Sequence, residues 1–137
     1  MKIDGECHCG AVAYEAEVDP QRAGLCHCTD CQTLNGSAFR FAVAAAPPSS
    51  FKLLRGELRR YVKTAESGTP RHHHFCPTCA TRISASNADA SAVYLSVGSI
   101  RQRATLRPSV QLWTRSACAW LGDIPALPGF ETQPPSA

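Results

Sequence analysis

Short alternations of apolar and polar residues run through this chain, and they predict strands far more often than helices. Val12, Tyr14, Ala16 and Val18 alternate with Ala13, Glu15 and Glu17, so residues 10–18 read as a half-buried strand that Asp19-Pro20 ends. Residues 2–7 and 23–28 are shorter extended pieces. Between 37 and 44, Phe39, Phe41 and Val43 alternate with Ala38, Arg40 and Ala42, which puts Arg40 on the face opposite the apolar one. Pro47 and Pro48 forbid a ladder across residues 45–50. Residues 51–55 and 58–63 flank Gly56-Glu57 and predict a hairpin or two adjacent strands.

Beyond a polar loop at 64–70, residues 71–75 form an extended arm. Residues 81–86 follow as a strand, 87–91 as a turn and 93–97 as a buried strand ended by Gly98-Ser99. Residues 102–108 are loop, and 110–113 add one more strand. Helical turns are expected at two places only. At 29–34, Thr29 or Asp30 would cap and Asn35-Gly36 would close. The other is at 116–121. The sum is about eight short strands with hardly any helix, an all-β or β-rich fold.

Length leaves room for one domain. At 137 residues the core is modest and gains from cross-links. We assign residues 1–130 to that domain and read the Pro-rich stretch 131–137 as a disordered tail. The 44% hydrophobic and 18% charged fractions describe an ordinary globule. A net charge of +3 suits a small acidic ligand, and no run of Lys or Arg is long enough to announce nucleic acid. The first residues carry no secretory pattern, and no apolar run is long enough to span a bilayer. The densest basic patch is Lys52, Arg55, Arg59, Arg60 and Lys63, read first as a solvated strand face.

Cysteines change the picture most. Seven of the eight fall into three knots: Cys7 and Cys9; Cys26, Cys28 and Cys31; Cys76 and Cys79. Such spacing lets neighbouring sulfurs converge on one ion, since thiolates suit Zn²⁺ and iron–sulfur clusters. Eight cysteines with no secretory signal point to a reducing, cytoplasmic setting and to metal, not disulfides. Residues two apart in extended chain face the same way, which pairs Cys7 with Cys9 and Cys26 with Cys28 and turns His8 away. The same alternation separates His73 from His72 and His74, with one of the three as a ligand only in a minority reading. Cys118 stands alone and reads as an inert buried thiol.

Spacing alone does not decide which cysteines share an ion. The simplest partition joins Cys7, Cys9, Cys76 and Cys79 into a closed four-thiolate site. That leaves Cys26, Cys28 and Cys31 as a three-thiolate site with one position open. Closed tetrahedral zinc is structural, and an open position is where zinc meets a substrate. Iron–sulfur ligation is the rival, but it needs four thiolates per cluster.

The segments Gly5-Glu6-Cys7-His8-Cys9-Gly10-Ala11-Val12, Cys26-His27-Cys28-Thr29-Asp30-Cys31, Gly36-Ser37-Ala38-Phe39 and Phe75-Cys76-Pro77-Thr78-Cys79 resemble the glutathione-dependent formaldehyde-activating enzymes. That family also takes in centromere protein V. Val97-Gly98-Ser99 and Trp120-Leu121-Gly122-Asp123-Ile124-Pro125 extend the likeness over nearly the whole chain. The resemblance implies a β-tent fold of small antiparallel sheets, shared with small zinc-containing Rab exchange factors. It implies two zinc ions per chain: a structural one on Cys7, Cys9, Cys76 and Cys79, and a catalytic one on Cys26, Cys28 and Cys31. The implied activity joins formaldehyde to glutathione, a carbon–sulfur lyase reaction, and Arg40 and the Lys52–Lys63 patch are the nearest cations for the glutathione carboxylates.

Two positions depart from the family's pattern. Ala80 stands where glycine and a positive φ are usual, and Gln32 stands where arginine is frequent. Two other classes remain open beside the enzyme. One is a zinc-stabilised scaffold that binds a protein, which would show an exposed apolar patch and a blocked three-cysteine site. The other is a weak nucleic-acid module, whose affinity would fall steeply with salt.

Overall fold

The computed structural model describes residues 1–136; the last residue of the expected tail, Ala137, lies outside them. Nine strands and one α-helix form in the order β1 (Lys2–Glu6), β2 (Ala13–Cys26), α1 (Thr29–Asn35), β3 (Arg40–Ala45), β4 (Lys52–Arg55), β5 (Arg59–Thr64), β6 (Pro70–Phe75), β7 (Arg82–Asn87), β8 (Val93–Ser96) and β9 (Val110–Leu112). Short 3-10 turns fill the connections. The β-rich class is the one the alternation predicts. Among the described residues, no helix is long and apolar enough to cross a membrane.

β2 organises the rest. Its first half pairs antiparallel with β1 and β4, and buries Tyr14, Ala16 and Val18 while Glu15 and Glu17 face outward. Its second half pairs antiparallel with β3 and parallel with β9. Outward from β3 the order is β8, β7, β6, β5, every neighbour antiparallel. The sequence expectation of two separate strands at 10–18 and 23–28 is therefore corrected. Asp19-Pro20 does not end the strand, because the β3 register shifts between Asp19 and Ala23 and a proline missing its N–H is tolerated at such an irregularity.

A second correction concerns residues 51–63. β4 and β5 do not form a hairpin: β4 pairs with β2 and β5 with β6. The connection crosses so close to Ala11 that a Cβ on Gly56, whose φ is +79°, would sit 2.1 Å from the Ala11 carbonyl oxygen. The expected solvated face does hold for most of β4 and β5, whose residues are exposed apart from Lys63.

The core lies on one face of the larger sheet and under the smaller one. Tyr14, Val43, Ile83, Leu95 and Ile100 are fully buried there, with Cys7 and Cys76 in the same cluster. Buried apolar area of this kind contributes roughly 25 cal/mol per Å². Tyr14 also donates or accepts a 2.7 Å bond with the Ser99 hydroxyl, tying β2 to the turn after β8. On the opposite face, the partners Gly24 and Ala42, Ala85 and His73, and Lys63 and Arg71 share one side. The small side chains of Gly24, Ala42 and Ala85 leave that side hollow.

Candidate functional site

The two cysteine groups assemble as the simplest partition arranges them. The sulfurs of Cys7, Cys9, Cys76 and Cys79 all lie within 4.8 Å of one another, and so do those of Cys26, Cys28 and Cys31. Cys7 Sγ is 3.6 Å from Cys9 Sγ, which is 3.7 Å from Cys76 Sγ. A tetrahedron with metal–sulfur bonds of about 2.3 Å has edges of about 3.8 Å, so the donor set fits a tetrahedral thiophilic ion. Among the described residues, no histidine or carboxylate joins either group. His8 is exposed, and His72 and His74 face each other across 6.3 Å on one side of β6 while the buried His73 lies on the other, the separation that alternation predicts.

Backbone N–H groups point at the sulfurs. Val12 N–H donates to Cys7 Sγ (3.2 Å), Thr78 and Cys79 N–H to Cys76 Sγ (3.4 and 3.5 Å), and Cys31 N–H to Cys28 Sγ (3.3 Å). Donors of this kind favour the thiolate, the form a metal binds. The Thr81 hydroxyl, 3.1 Å from Cys79 Sγ, is the leading reason that thiol is pulled down to about 5. In the other group, the Cys31 thiol bonded to Cys26 brings Cys26 down to about 5, while Cys31 itself is pushed far up by the same bond and by burial.

The second group owes its shape to α1. The capping atom is Cys28 Sγ, not the expected Thr29 or Asp30 side chain. A sulfur at that place accepts the orphan N–H of Cys31 in the first turn and stays beside the Cys31 side chain. Gly36, with φ +59°, closes the helix as expected. His27 is buried between the ligand candidates: its N–H donates to the Leu112 carbonyl and its Nε2–H to Gln111 Oε1 at 2.9 Å. Those bonds dock β9 onto the end of β2. Gln32, where a cation is frequent in the family, donates its amide to the carbonyls of His27 (2.7 Å) and Ser116 (3.0 Å), and so ties α1 to the chain after β9.

Cys26, Cys28 and Cys31 open onto a cavity of about 910 Å³ over the hollow face of the sheet. Arg22, Arg40, Lys63, Arg71 and Arg115 line it, against two carboxylates, Asp30 and Glu66. Lys63 Nζ holds Asp30 at 2.5 Å, bridging β5 to α1 at the rim. Arg40 was visible in the sequence as a cation on the open face, and Lys63 as the end of the basic patch. Lys52, Arg55, Arg59 and Arg60 do not reach the cavity; Arg55 instead binds Glu6 and the Gly10 carbonyl. Arg22 and Arg71 escaped notice, although alternation with Cys26 and with His73 places both on the cavity side. Arg115 comes from a loop and left no periodic signal. Cys118 is half-buried and belongs to neither group.

Ala80 adopts φ 60° after Cys79, the left-handed conformation expected where the family has glycine. Comparison with known proteins agrees with the geometry. A crystal structure of a Rhodobacter sphaeroides protein superposes with a TM-score of 0.60 at 24% identity, covering 79% of this chain and 98% of that one, which shows a shared fold. A Halomonas elongata protein, provisionally named as a glutathione-dependent formaldehyde-activating enzyme, is 26% identical over 87 residues. That stretch is 61% of this chain and 55% of the relative, so the alignment spans about half the relative's length. The family model described as glutathione-dependent formaldehyde-activating enzyme matches residues 2–116, from β1 to the turn after β9 and across all three cysteine knots. The chain belongs to the glutathione-dependent formaldehyde-activating enzyme family.

Proposed function

We propose that this protein is a carbon–sulfur lyase-type enzyme that handles glutathione or a similar thiol and its carbonyl adduct, with one zinc ion in each cysteine group. Cys7, Cys9, Cys76 and Cys79 would hold the structural ion, since four thiolates leave no position open. Cys26, Cys28 and Cys31 would hold the second. The observation that carries the reading is the placement of those three sulfurs at the wall of a cavity rich in arginine and lysine. At the three-cysteine group, iron–sulfur chemistry is disfavoured by the missing fourth sulfur. The reading covers residues 1–130 as one unit and places it in the reducing cytoplasm.

Zinc bound at the three-cysteine group would keep an incoming thiol deprotonated at neutral pH. The cavity's own residues do the rest. Arg22 and Arg71, in no ion pair among the described residues, supply cations for two carboxylates beside the paired Lys63 and Arg115, and guanidinium groups bind carboxylates in a bidentate fork. Val110 and Leu112 give the floor an apolar edge. In the reaction, a bond forms between the thiol sulfur and the formaldehyde carbon. The carbonyl π bond opens onto oxygen, which takes the proton lost by the thiol, giving the S-hydroxymethyl hemithioacetal.

Calorimetry with glutathione, followed by NMR exchange between formaldehyde, glutathione and their adduct, tests this. Metal-loaded protein should bind glutathione and exceed the spontaneous rate. Cys28→Ser should alter binding more than any single exposed Arg→Ala, because an exposed cation contributes under about 1 kcal/mol. Binding without acceleration would leave a thiol-binding protein, and neither would sink the proposal. The scaffold reading has one observation in its favour: Trp120, Ile124, Leu127 and Phe130 are exposed along the C-terminal segment. Its other requirement, a blocked three-cysteine site, fails, since that group lines an open cavity.

A further inference from the structure

Arg40 and Arg82 lie beside the three-cysteine group, and neither is in an ion pair among the described residues. Arg40 donates one Nη to the Tyr94 carbonyl at 3.2 Å. Arg82 donates one Nη to the Leu34 carbonyl at 2.9 Å and the other to His73 Nδ1 at 2.5 Å. The two guanidiniums are close enough to repel and both are withdrawn from water. The sulfurs of Cys26, Cys28 and Cys31 answer Arg40 from the first cavity and Cys31 acts on Arg82, but no carboxylate meets either from the other side.

A second cavity, of about 820 Å³, shares Arg40 with the first and lies against Cys79 and Ala80 of the other cysteine group. Arg82 and Arg103 add two more positive charges to its wall, and among the described residues no aspartate or glutamate lines it. Asn35 Nδ2, Arg40 Nε, Arg82 Nε and Ser96 Oγ belong to residues of that wall and are buried without a hydrogen-bond partner. Three of these atoms can only donate, and the hydroxyl can donate as well. A concave surface with donors in excess, three cations and no acid is complementary to a compact oxyanion.

We propose that this second cavity is a binding site for a small inorganic oxyanion of the phosphate or sulfate type, distinct from the thiol-binding cavity and separated from it by Arg40. Its ligand would sit one side chain from Cys26 and Cys31, whose charges act on Arg40. The proposal does not depend on which reaction the first cavity carries out.

Calorimetric titration of the metal-loaded, full-length protein with inorganic phosphate tests it, with ionic strength held constant by potassium chloride. Saturable one-to-one binding is expected, with sulfate competing and chloride producing no comparable heat. Arg82→Gln should weaken phosphate roughly tenfold or more. Because Arg82 also holds the end of α1, the exposed Arg103→Ala serves as the second variant and should weaken it by several-fold. Arg71→Ala, which touches only the first cavity, should leave the affinity unchanged. Non-saturable heats would overturn the proposal. So would affinity that falls with Arg71→Ala but survives Arg103→Ala and Arg82→Gln, which would put the anion in the first cavity.

Discussion

Ala80 holds a φ of 60° while its N–H donates to the Cys76 carbonyl at 3.0 Å, closing the turn around the sulfurs. A Cβ in the left-handed region costs about 1–2 kcal/mol. Glycine would remove that strain but lose about 0.5–1 kcal/mol more chain entropy on folding. Ala80→Gly should therefore match the parent or gain up to about 1 kcal/mol in denaturant melts at saturating zinc. A clear loss would mean the turn is not strained. His73 gives a prediction in pH. Burial, with Arg82 and Arg40 nearby, pushes its imidazole down from 6.5 to about 3. The unfolded chain takes up that proton near pH 6.5 and the folded one does not, so acid favours unfolding. The contribution of neutral His73 is complete above pH 6.5 and is lost as pH falls towards 3. His73→Gln should flatten the decline of stability across that window, even if it lowers the plateau. Melts at stepped pH on both proteins measure this. The strain at Ala80 was legible from the family's glycine, and the separation of His73 from His72 and His74 from alternation. That Arg82 would meet it was not, because strand pairing decides which cation lies across from a buried ring.

At the level of elements, the alternation found nearly every strand and misjudged how they join. Periodicity of two reports which side a residue faces and says nothing of its neighbour across the sheet. That is why residues 51–63 looked like a hairpin although β4 and β5 belong to different partners. Pro20 was likewise read as a stop, when an irregularity in the β3 pairing lets the chain continue to Cys26. Gly56 marks the crossing between β4 and β5. Replacing it with alanine forces a side chain against the Ala11 carbonyl in a left-handed conformation. Overpacking costs about 1–3 kcal/mol and the strained backbone a similar amount. Gly56→Ala should thus lower stability by about 3 kcal/mol or more, seen as a large fall in melting temperature. Gly36→Ala, with open space around it, supplies the comparison: its loss should be only that of the left-handed cap.

Across the whole molecule, the two cysteine groups differ in what they join. Cys26, Cys28 and Cys31 come from one β2–α1 junction, whereas Cys7 and Cys9 meet Cys76 and Cys79 from the far side of the sheet order. Cys7 and Cys76 are also fully buried members of the core. Metal held by the long-range group would close a large loop and so contribute more to folding. Cys76→Ser should give protein that is insoluble or melts far lower, and Cys31→Ser should stay folded and lose one ion by native mass spectrometry. Equal behaviour of the two variants would contradict the division of roles. The seven clustered thiols were legible because their spacing is local. Of the cavity's cations only Arg40 and Lys63 were, since Arg22, Arg71 and Arg115 converge only after six strands are in place.

The long reach of β2 also sets a timetable for making this protein. Cys9 leaves the ribosome 67 residues before Cys76, its neighbour at 3.7 Å. At about 5–20 residues per second, that interval is about 3–13 s. Hairpins form in about 1–10 μs, so β1 and the first half of β2 can pair at once, but the sulfurs at their junction stand open. The second half of β2 waits longer still for β9, and Asp4 for Arg101 at 2.6 Å. For those seconds the clustered thiols are its most reactive exposed groups, and the cell's supply of free thiophilic metal and of oxidants decides what they meet first.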